Sequence, residues 1–89
     1  MDKILKELLE VEEKSTQERF LVLHNDDVNT VDHVIESLIK ICKHHPTQAE
    51  QCTIIAHYQG KCEVKKGNFS DLKRMKDLMI QNKLSATID

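Results

Sequence analysis

The chain has 89 residues, a formal net charge of −2 and 31% charged residues of both signs. This length suits one domain rather than two. The mixed charge and an aromatic content of 3% argue against a nucleic-acid-binding protein, which needs a basic surface or aromatic side chains on which bases stack.

We expect a cytoplasmic protein. The sequence has no apolar run of about 18 residues that would cross a membrane, and its first residues lack the apolar core of a signal peptide. Its cysteines are an odd set, which favours reduced thiols over a disulfide framework. They are Cys42, Cys52 and Cys62.

Residues 3–14 have the spacing of an amphipathic helix, with Ile4, Leu5, Leu8 and Leu9 on one side. Residues 15–18 interrupt this pattern and indicate a linker. We therefore predict an N-terminal helical arm and linker over residues 1–18, followed by a core domain over residues 19–89. The arm either docks on the domain or serves as a mobile contact for a partner.

The core domain begins with a short apolar strand over residues 19–24, which ends at a polar turn over residues 25–27. A helix follows, capped by Asn29 or Thr30 and ending near Lys43. A second helix has Pro46 in its first turn, where a missing N–H costs nothing, and ends at Gly60.

The remainder of the chain predicts a second strand over residues 61–65, a turn over residues 66–68, a third helix capped by Ser70, and a last strand over residues 84–88. The order after the arm is strand, helix, helix, strand, helix, strand. Three strands with helices covering one face make an α+β fold.

Polar residues gather at two corners of this fold. Taken alone, Asn25-Asp26-Asp27 is typical of a turn that caps the next helix. A calcium loop is excluded because the run lacks the required glycine and fifth-position ligand. No Ser–His or Cys–His signature of nucleophilic catalysis is visible, so we expect neither an enzyme nor a cofactor.

The histidines other than His57 are interpreted as surface or end-of-element residues. They are His24, His33, His44 and His45. A zinc-binding domain would use Cys42, His44, His45 and Cys52, although the ten-residue spacing of the cysteines matches no zinc pattern. It is the weakest alternative.

The second corner is the end of the second helix, where His57 lies. A protonated amine needs several acceptors around it, and an Asn carbonyl, an Asp carboxylate and a neutral imidazole supply them. Apolar residues of two helices lie behind these groups. The combination predicts a site for a free α-amino group that adjoins a large apolar side chain.

At these residues the chain resembles the ClpS family, adaptors of the Clp proteases. The resemblance is carried by Leu23-His24-Asn25-Asp26-Asp27, by Val34 and by His57-Tyr58-Gln59-Gly60-Lys61, at the family's separation. It covers residues 19–64 well and extends to residues 84–89. It implies a three-stranded antiparallel sheet packed on three helices.

The resemblance also implies a function. Family members bind N-degrons, which are proteins whose N-terminal residue is Leu, Phe, Tyr or Trp, and deliver them to an AAA+ unfoldase of the ClpA or ClpC type for degradation. The adaptor itself makes and breaks no bond. The alternative is a small interaction domain that does not bind N-degrons.

Site residues follow from the resemblance by position. It implies that the α-amine is bound by Asn25, Asp26 and His57. It assigns the peptide backbone and the turn to Asp27, Asn29 and Thr30. It implies an apolar pocket lined by Val31, Val34, Thr53, Ala56 and Leu84. Val31 replaces the methionine that usually narrows the pocket mouth. Two alternatives follow: the substrates extend to Ile and Val, or a different large residue is favoured.

Overall fold

The computed structural model describes residues 17–89, so the predicted helix over residues 3–14 lies outside the described residues. Three strands and three helices follow one another in the predicted order. They are β1 (Arg19–His24), α1 (Val31–Cys42), α2 (Pro46–Gln59), β2 (Lys61–Gly67), α3 (Phe69–Gln81) and β3 (Ser85–Ile88).

The sheet has the order β2-β1-β3, with β1 in the centre and antiparallel to both neighbours. Leu23 of β1 pairs with Cys62 of β2 and with Ala86 of β3. Because side chains alternate along a strand, Leu21 and Leu23 both enter the core, where they are 0% and 3% exposed. The predicted α+β fold with an antiparallel sheet is confirmed.

The hydrophobic core lies between the sheet and the helices. Burial of such apolar surface is the main favourable contribution to folding. Every described strand and helix contributes to it. Helix α3 also has an exposed face, which carries Leu78 and Ile80. The buried cluster consists of Leu21, Leu23, Leu38, Cys42, Ala49, Cys52, Ala56, Cys62, Val64, Leu72, Met79, Leu84 and Ala86.

The element ends differ from the sequence prediction in detail. Thr30 caps α1, since its hydroxyl accepts the His33 N–H at 3.1 Å. The predicted cap of α3, Ser70, is wrong. The side chain of Asn68 accepts the Asp71 N–H at 2.8 Å, so α3 begins one residue after Asn68. Strand β2 also runs further than predicted because its last residue pairs with Arg19.

His44 lies in the link between α1 and α2, as an end-of-element residue would, but it is not a surface residue. Its side chain is buried, at 4% exposure. The Nε2–H donates to the carbonyl of Val64 at 2.5 Å. This bond ties the link between α1 and α2 to strand β2, and it satisfies a polar group that would otherwise be costly to bury.

Across residues 17–89, no helix combines the length and the apolar character needed to span a membrane.

The three cysteines are buried free thiols. Burial raises the pKa of Cys42 to about 11, although the positive charge of Lys65 opposes this. The pKa of Cys62 is raised to about 12, mainly by burial and in second place by the adjoining Cys52 thiol. Only the thiolate is a good nucleophile, so both groups are protected by burial and by protonation.

We therefore expect the thiols of the folded protein to react slowly with Ellman's reagent at pH 8, because all three are buried. In addition, Cys42 has a pKa of about 11 and is then ionised in roughly one molecule in a thousand. The same protein in urea should react rapidly at all three cysteines. Absorbance at 412 nm measures both rates. Fast stoichiometric reaction without denaturant would contradict the burial of this cluster.

Candidate functional site

The two polar corners predicted from the sequence meet in the structure. The backbone N–H of Asn25, just after β1, donates to the carbonyl of Gly60 at 2.9 Å. Gly60 has a φ of 91°, a left-handed conformation that suits glycine. Its own N–H donates to Ala56 at 2.9 Å and closes α2. The end of β1 and the end of α2 are thus held together.

A cavity of about 210 Å³ opens beside this junction. Pockets for drug-sized ligands measure about 300–1,000 Å³, so this cavity suits a single side chain. The described residues that line it are Leu23, His24, Asn25, Asp26, Asp27, Asn29, Val31, Val34, Thr53, Ala56, His57 and Leu84.

All the site residues predicted from the sequence line this cavity, except Thr30. Thr30 instead caps α1, the helix that carries Val31 and Val34, and thereby helps to set the direction of this helix. Sequence reasoning missed two lining residues, Leu23 and His24. The available signal was their position immediately before Asn25 on an alternating strand.

The rim of the cavity is shaped by the carboxylate of Asp26. Its Oδ1 accepts the backbone N–H groups of Val28 and Asn29, both at 3.0 Å. The side-chain amide of Asn29 donates to Oδ1 at 3.1 Å and to Oδ2 at 3.0 Å. Asp26 therefore folds the loop between β1 and α1 around itself, and it leaves its negative charge at the rim.

These contacts also determine how Asp26 titrates. Partial burial acts to raise the pKa of Asp26, but the hydrogen bonds from the Asn29 and Val28 N–H groups and from the Asn29 side chain outweigh it. They hold the pKa below its usual value of 3.8. A carboxyl with a lowered pKa stabilises the fold fully above pH 3.8, and this stabilisation is lost as the pH falls through the lower folded-state value.

Asn29 connects the rim to the opposite wall. Besides contacting Asp26, its Nδ2 donates to the carbonyl of Lys83 at 2.8 Å. A second bond runs in parallel, from the His33 ring Nε2 to the carbonyl of Asn82 at 2.8 Å. Both acceptors belong to the turn between α3 and β3, directly before Leu84. The loop after β1 thus positions a residue of the cavity wall.

His57 lies in the last turn of α2 and is exposed. Its ring meets that of Tyr58 edge to face, with centroids 5.1 Å apart. Asn25 is exposed at the same rim. A neutral imidazole nitrogen, an amide oxygen and a carboxylate all accept hydrogen bonds. This rim can therefore bind a cation that carries several N–H donors.

The deeper part of the cavity is mostly apolar. Ala56 and Leu84 are 3% and 4% exposed, and Val34 is half-buried. Thr53 is 6% exposed, and its hydroxyl donates to the carbonyl of Ala49 at 2.7 Å. Val31 is 56% exposed at the mouth. Among residues 17–89, no three His, Cys, Asp or Glu side chains are arranged to hold a metal ion.

Comparison with known proteins gives two findings. The model of the family described as "ATP-dependent Clp protease adaptor protein ClpS" matches residues 14–87. A solved structure of Agrobacterium tumefaciens ClpS2 bound to L-phenylalaninamide matches with a TM-score of 0.75 and 18% identity, over 82% of this chain and 95% of that chain. At this identity the structural match establishes a shared fold. A search of proteins with curated functions finds no match.

The Asn29 bridge leads to a test by substitution. In Asn29→Asp, the donor that faces the Asp26 carboxylate and the Lys83 carbonyl becomes a second carboxylate. We expect Asn29→Ala to lower the free energy of unfolding by about 1–2 kcal/mol, and Asn29→Asp to lower it further at pH 7 because like charges then adjoin. Urea denaturation measures both values.

Gln48→Glu is a matched control for this test, because it makes the same amide-to-carboxylate change at an exposed position in the first turn of α2. A negative charge is favourable there. An Asn29→Asp variant as stable as the unmodified protein at pH 7 would show that the bridge contributes nothing.

Proposed function

The chain belongs to the ClpS family of Clp protease adaptors, and on this basis we propose that it binds N-degrons by their free α-amine and their first side chain. The substrates are proteins that begin with a large hydrophobic residue, Leu, Phe, Tyr or Trp. The adaptor passes them to the N-terminal domain of a Clp AAA+ unfoldase of the ClpA or ClpC type for degradation.

One observation carries this proposal. A rim of acceptors and a mostly apolar interior share one cavity of about 210 Å³. An N-terminal residue has the same two parts, an ammonium group and a side chain attached to a single carbon. An internal residue offers an amide N–H in place of the ammonium group, so it cannot satisfy the same set of acceptors.

Within this proposal the rim residues have separate roles. The Asn25 side-chain oxygen and a neutral ring nitrogen of His57 accept hydrogen bonds from the α-amine. Asp26 acts by its charge, since its oxygens already accept N–H groups of the loop. Charge at a partly desolvated site strengthens the binding of a cation.

The neighbouring residues support the bound peptide. Asp27 lies at the rim, where it faces the first peptide bond of the substrate. Both amide hydrogens of Asn29 are directed to Asp26 and Lys83, so its remaining carbonyl oxygen is the group that contacts the peptide. Thr30 acts indirectly, as the cap of α1.

The candidates for contact with the unfoldase are Glu63, Lys65 and Lys66, all on β2. Lys65 donates to the carbonyl of Cys42 at 3.1 Å, so its charge is held close to the domain. Lys66 pairs with Glu18 at 3.0 Å, and both side chains are more than half exposed. Such an exposed pair contributes little to stability, so Lys66 can exchange partners at little cost.

We expect a peptide that begins with Leu or Phe to bind, and its N-acetylated form to bind far more weakly, because acetylation removes the ammonium group. Asn25→Ala and His57→Ala should each weaken binding by about 1–3 kcal/mol, or about 5- to 150-fold in Kd. Fluorescence anisotropy of a labelled peptide measures these affinities.

His45→Ala is the matched control for His57→Ala. His45 is exposed at the other end of α2 and makes no side-chain cap there, so its removal should leave peptide affinity unchanged. Equal affinity for free and acetylated peptides would reject the proposal and favour an interaction domain that does not read N-termini.

The mouth of the cavity gives a second prediction. Val31 is shorter than methionine, so a side chain branched at Cβ can pass it. We expect peptides that begin with Ile or Val to bind, and Val31→Met to weaken Ile binding about tenfold relative to Leu, since crowding by a longer side chain costs about 1–3 kcal/mol.

A matched control for this prediction is Val28→Met. Val28 is 84% exposed and lies outside the cavity lining among the described residues, so the same change there should leave the ratio of Ile to Leu affinity unchanged. Complete rejection of Ile by the unmodified protein would contradict the prediction.

A further inference from the structure

Thr53 is the single polar side chain in the deeper, otherwise apolar part of the cavity lining described above. The other lining residues at this level are Leu23, Val34, Ala56 and Leu84. Thr53 is buried, at 6% exposure. A buried hydroxyl in an apolar wall affects the affinity for the side chain that fills the space beside it. The affinity depends on whether that side chain can form a hydrogen bond with the hydroxyl.

The hydroxyl of Thr53 has already used its one hydrogen, which it donates to the Ala49 carbonyl at 2.7 Å. A hydroxyl has one donor and two acceptor lone pairs. Towards a ligand, Thr53 therefore offers only an acceptor. The same is true of the carboxylate at the rim, but Thr53 is neutral and therefore suits a neutral donor.

The depth of Thr53 matches the far end of an aromatic ring. Thr53 precedes His57 by one turn of α2, a rise of about 6 Å along the helix axis. Ala49, one turn further, is fully buried. A residue whose amine lies beside His57 and whose ring extends down the α2 wall thus brings the end of that ring to the level of Thr53.

From this arrangement we infer that Thr53 is a specificity-determining residue that favours N-terminal aromatic side chains carrying a hydrogen-bond donor, Tyr and Trp, over Phe. The inference rests on the proposed function. The Tyr hydroxyl or the Trp ring N–H donates to Thr53 Oγ1, while the Ala49 carbonyl keeps its bond.

The expected discrimination between Tyr and Phe depends on which polar groups are left without a hydrogen-bond partner in each complex. A Tyr hydroxyl in a wholly apolar pocket loses its bond to water and gains none. With Thr53 as acceptor this loss is compensated. With Phe, the Thr53 hydroxyl still donates to Ala49, so no donor is stranded. The net preference for Tyr over Phe is therefore modest, about two- to tenfold in Kd.

The test compares peptides that differ only at the first residue, Phe, Tyr or 4-fluorophenylalanine, by isothermal titration with the full chain. The fluorine is close in size to the hydroxyl but cannot donate. We expect Tyr to bind about two- to tenfold more tightly than 4-fluorophenylalanine. This comparison needs no change to the protein, so it does not depend on a variant's folding.

Thr53→Val completes a double-mutant cycle, since it keeps the shape and removes the hydroxyl. It should abolish or reverse the preference for Tyr over Phe. Thr53→Ser should keep the preference for Tyr.

Two outcomes overturn the inference and are distinct from failure of the proposed function. One is a ratio of Tyr to Phe affinity that is the same with Thr53 and with Val at this position. The other is equal affinity for Tyr and 4-fluorophenylalanine. If instead no free N-terminal peptide binds more tightly than its acetylated form, the proposed function itself is rejected.

Discussion

The hydrogen bond from the Asn25 N–H to the Gly60 carbonyl is the constraint on which the site depends. It joins two segments that are far apart in sequence, the loop after the central strand and the end of α2. Its geometry requires the left-handed backbone of Gly60, which reverses the chain so that β2 can pair with β1. Without this reversal, Asn25 and His57 would not share a rim.

A second set of bonds positions the wall opposite α2. The loop that contains Asp26 is folded around the carboxylate, and Asn29 extends from it to the turn before Leu84. Two polar side chains at the cavity thus have their donors committed within the protein. Asn29 directs its amide to Asp26 and Lys83, and Thr53 directs its hydroxyl to Ala49. What these two side chains leave for a ligand is acceptor oxygens, and an ammonium group needs acceptors of this kind.

Sequence patterns predicted the elements well where a local rule decides them. Pro46 and Gly60 marked the two ends of α2 because each has a backbone restriction that acts within one turn. The start of α3 was misassigned because Asn68 and Ser70 are both good caps, and the choice depends on how far β2 continues along β1. The burial of His44 was not predicted for a similar reason, since its hydrogen-bond partner Val64 lies on a distant strand.

The residues of the rim and the interior were named from sequence through the resemblance to the ClpS family, whose motifs are specific in combination. The sequence by itself determined the order of elements, the polar corners and the apolar faces of the helices, all of which follow from short-range preferences and periodicity. Only the tertiary structure decided which of these groups have free hydrogen-bonding capacity. The bonds of Asp26 and Thr53 are local, to N–H groups two and three residues ahead and to a carbonyl four residues back. The bond from Asn29 to the Lys83 carbonyl joins residues 54 positions apart, and no spacing rule encodes it because the position of that carbonyl is set by packing of the whole domain.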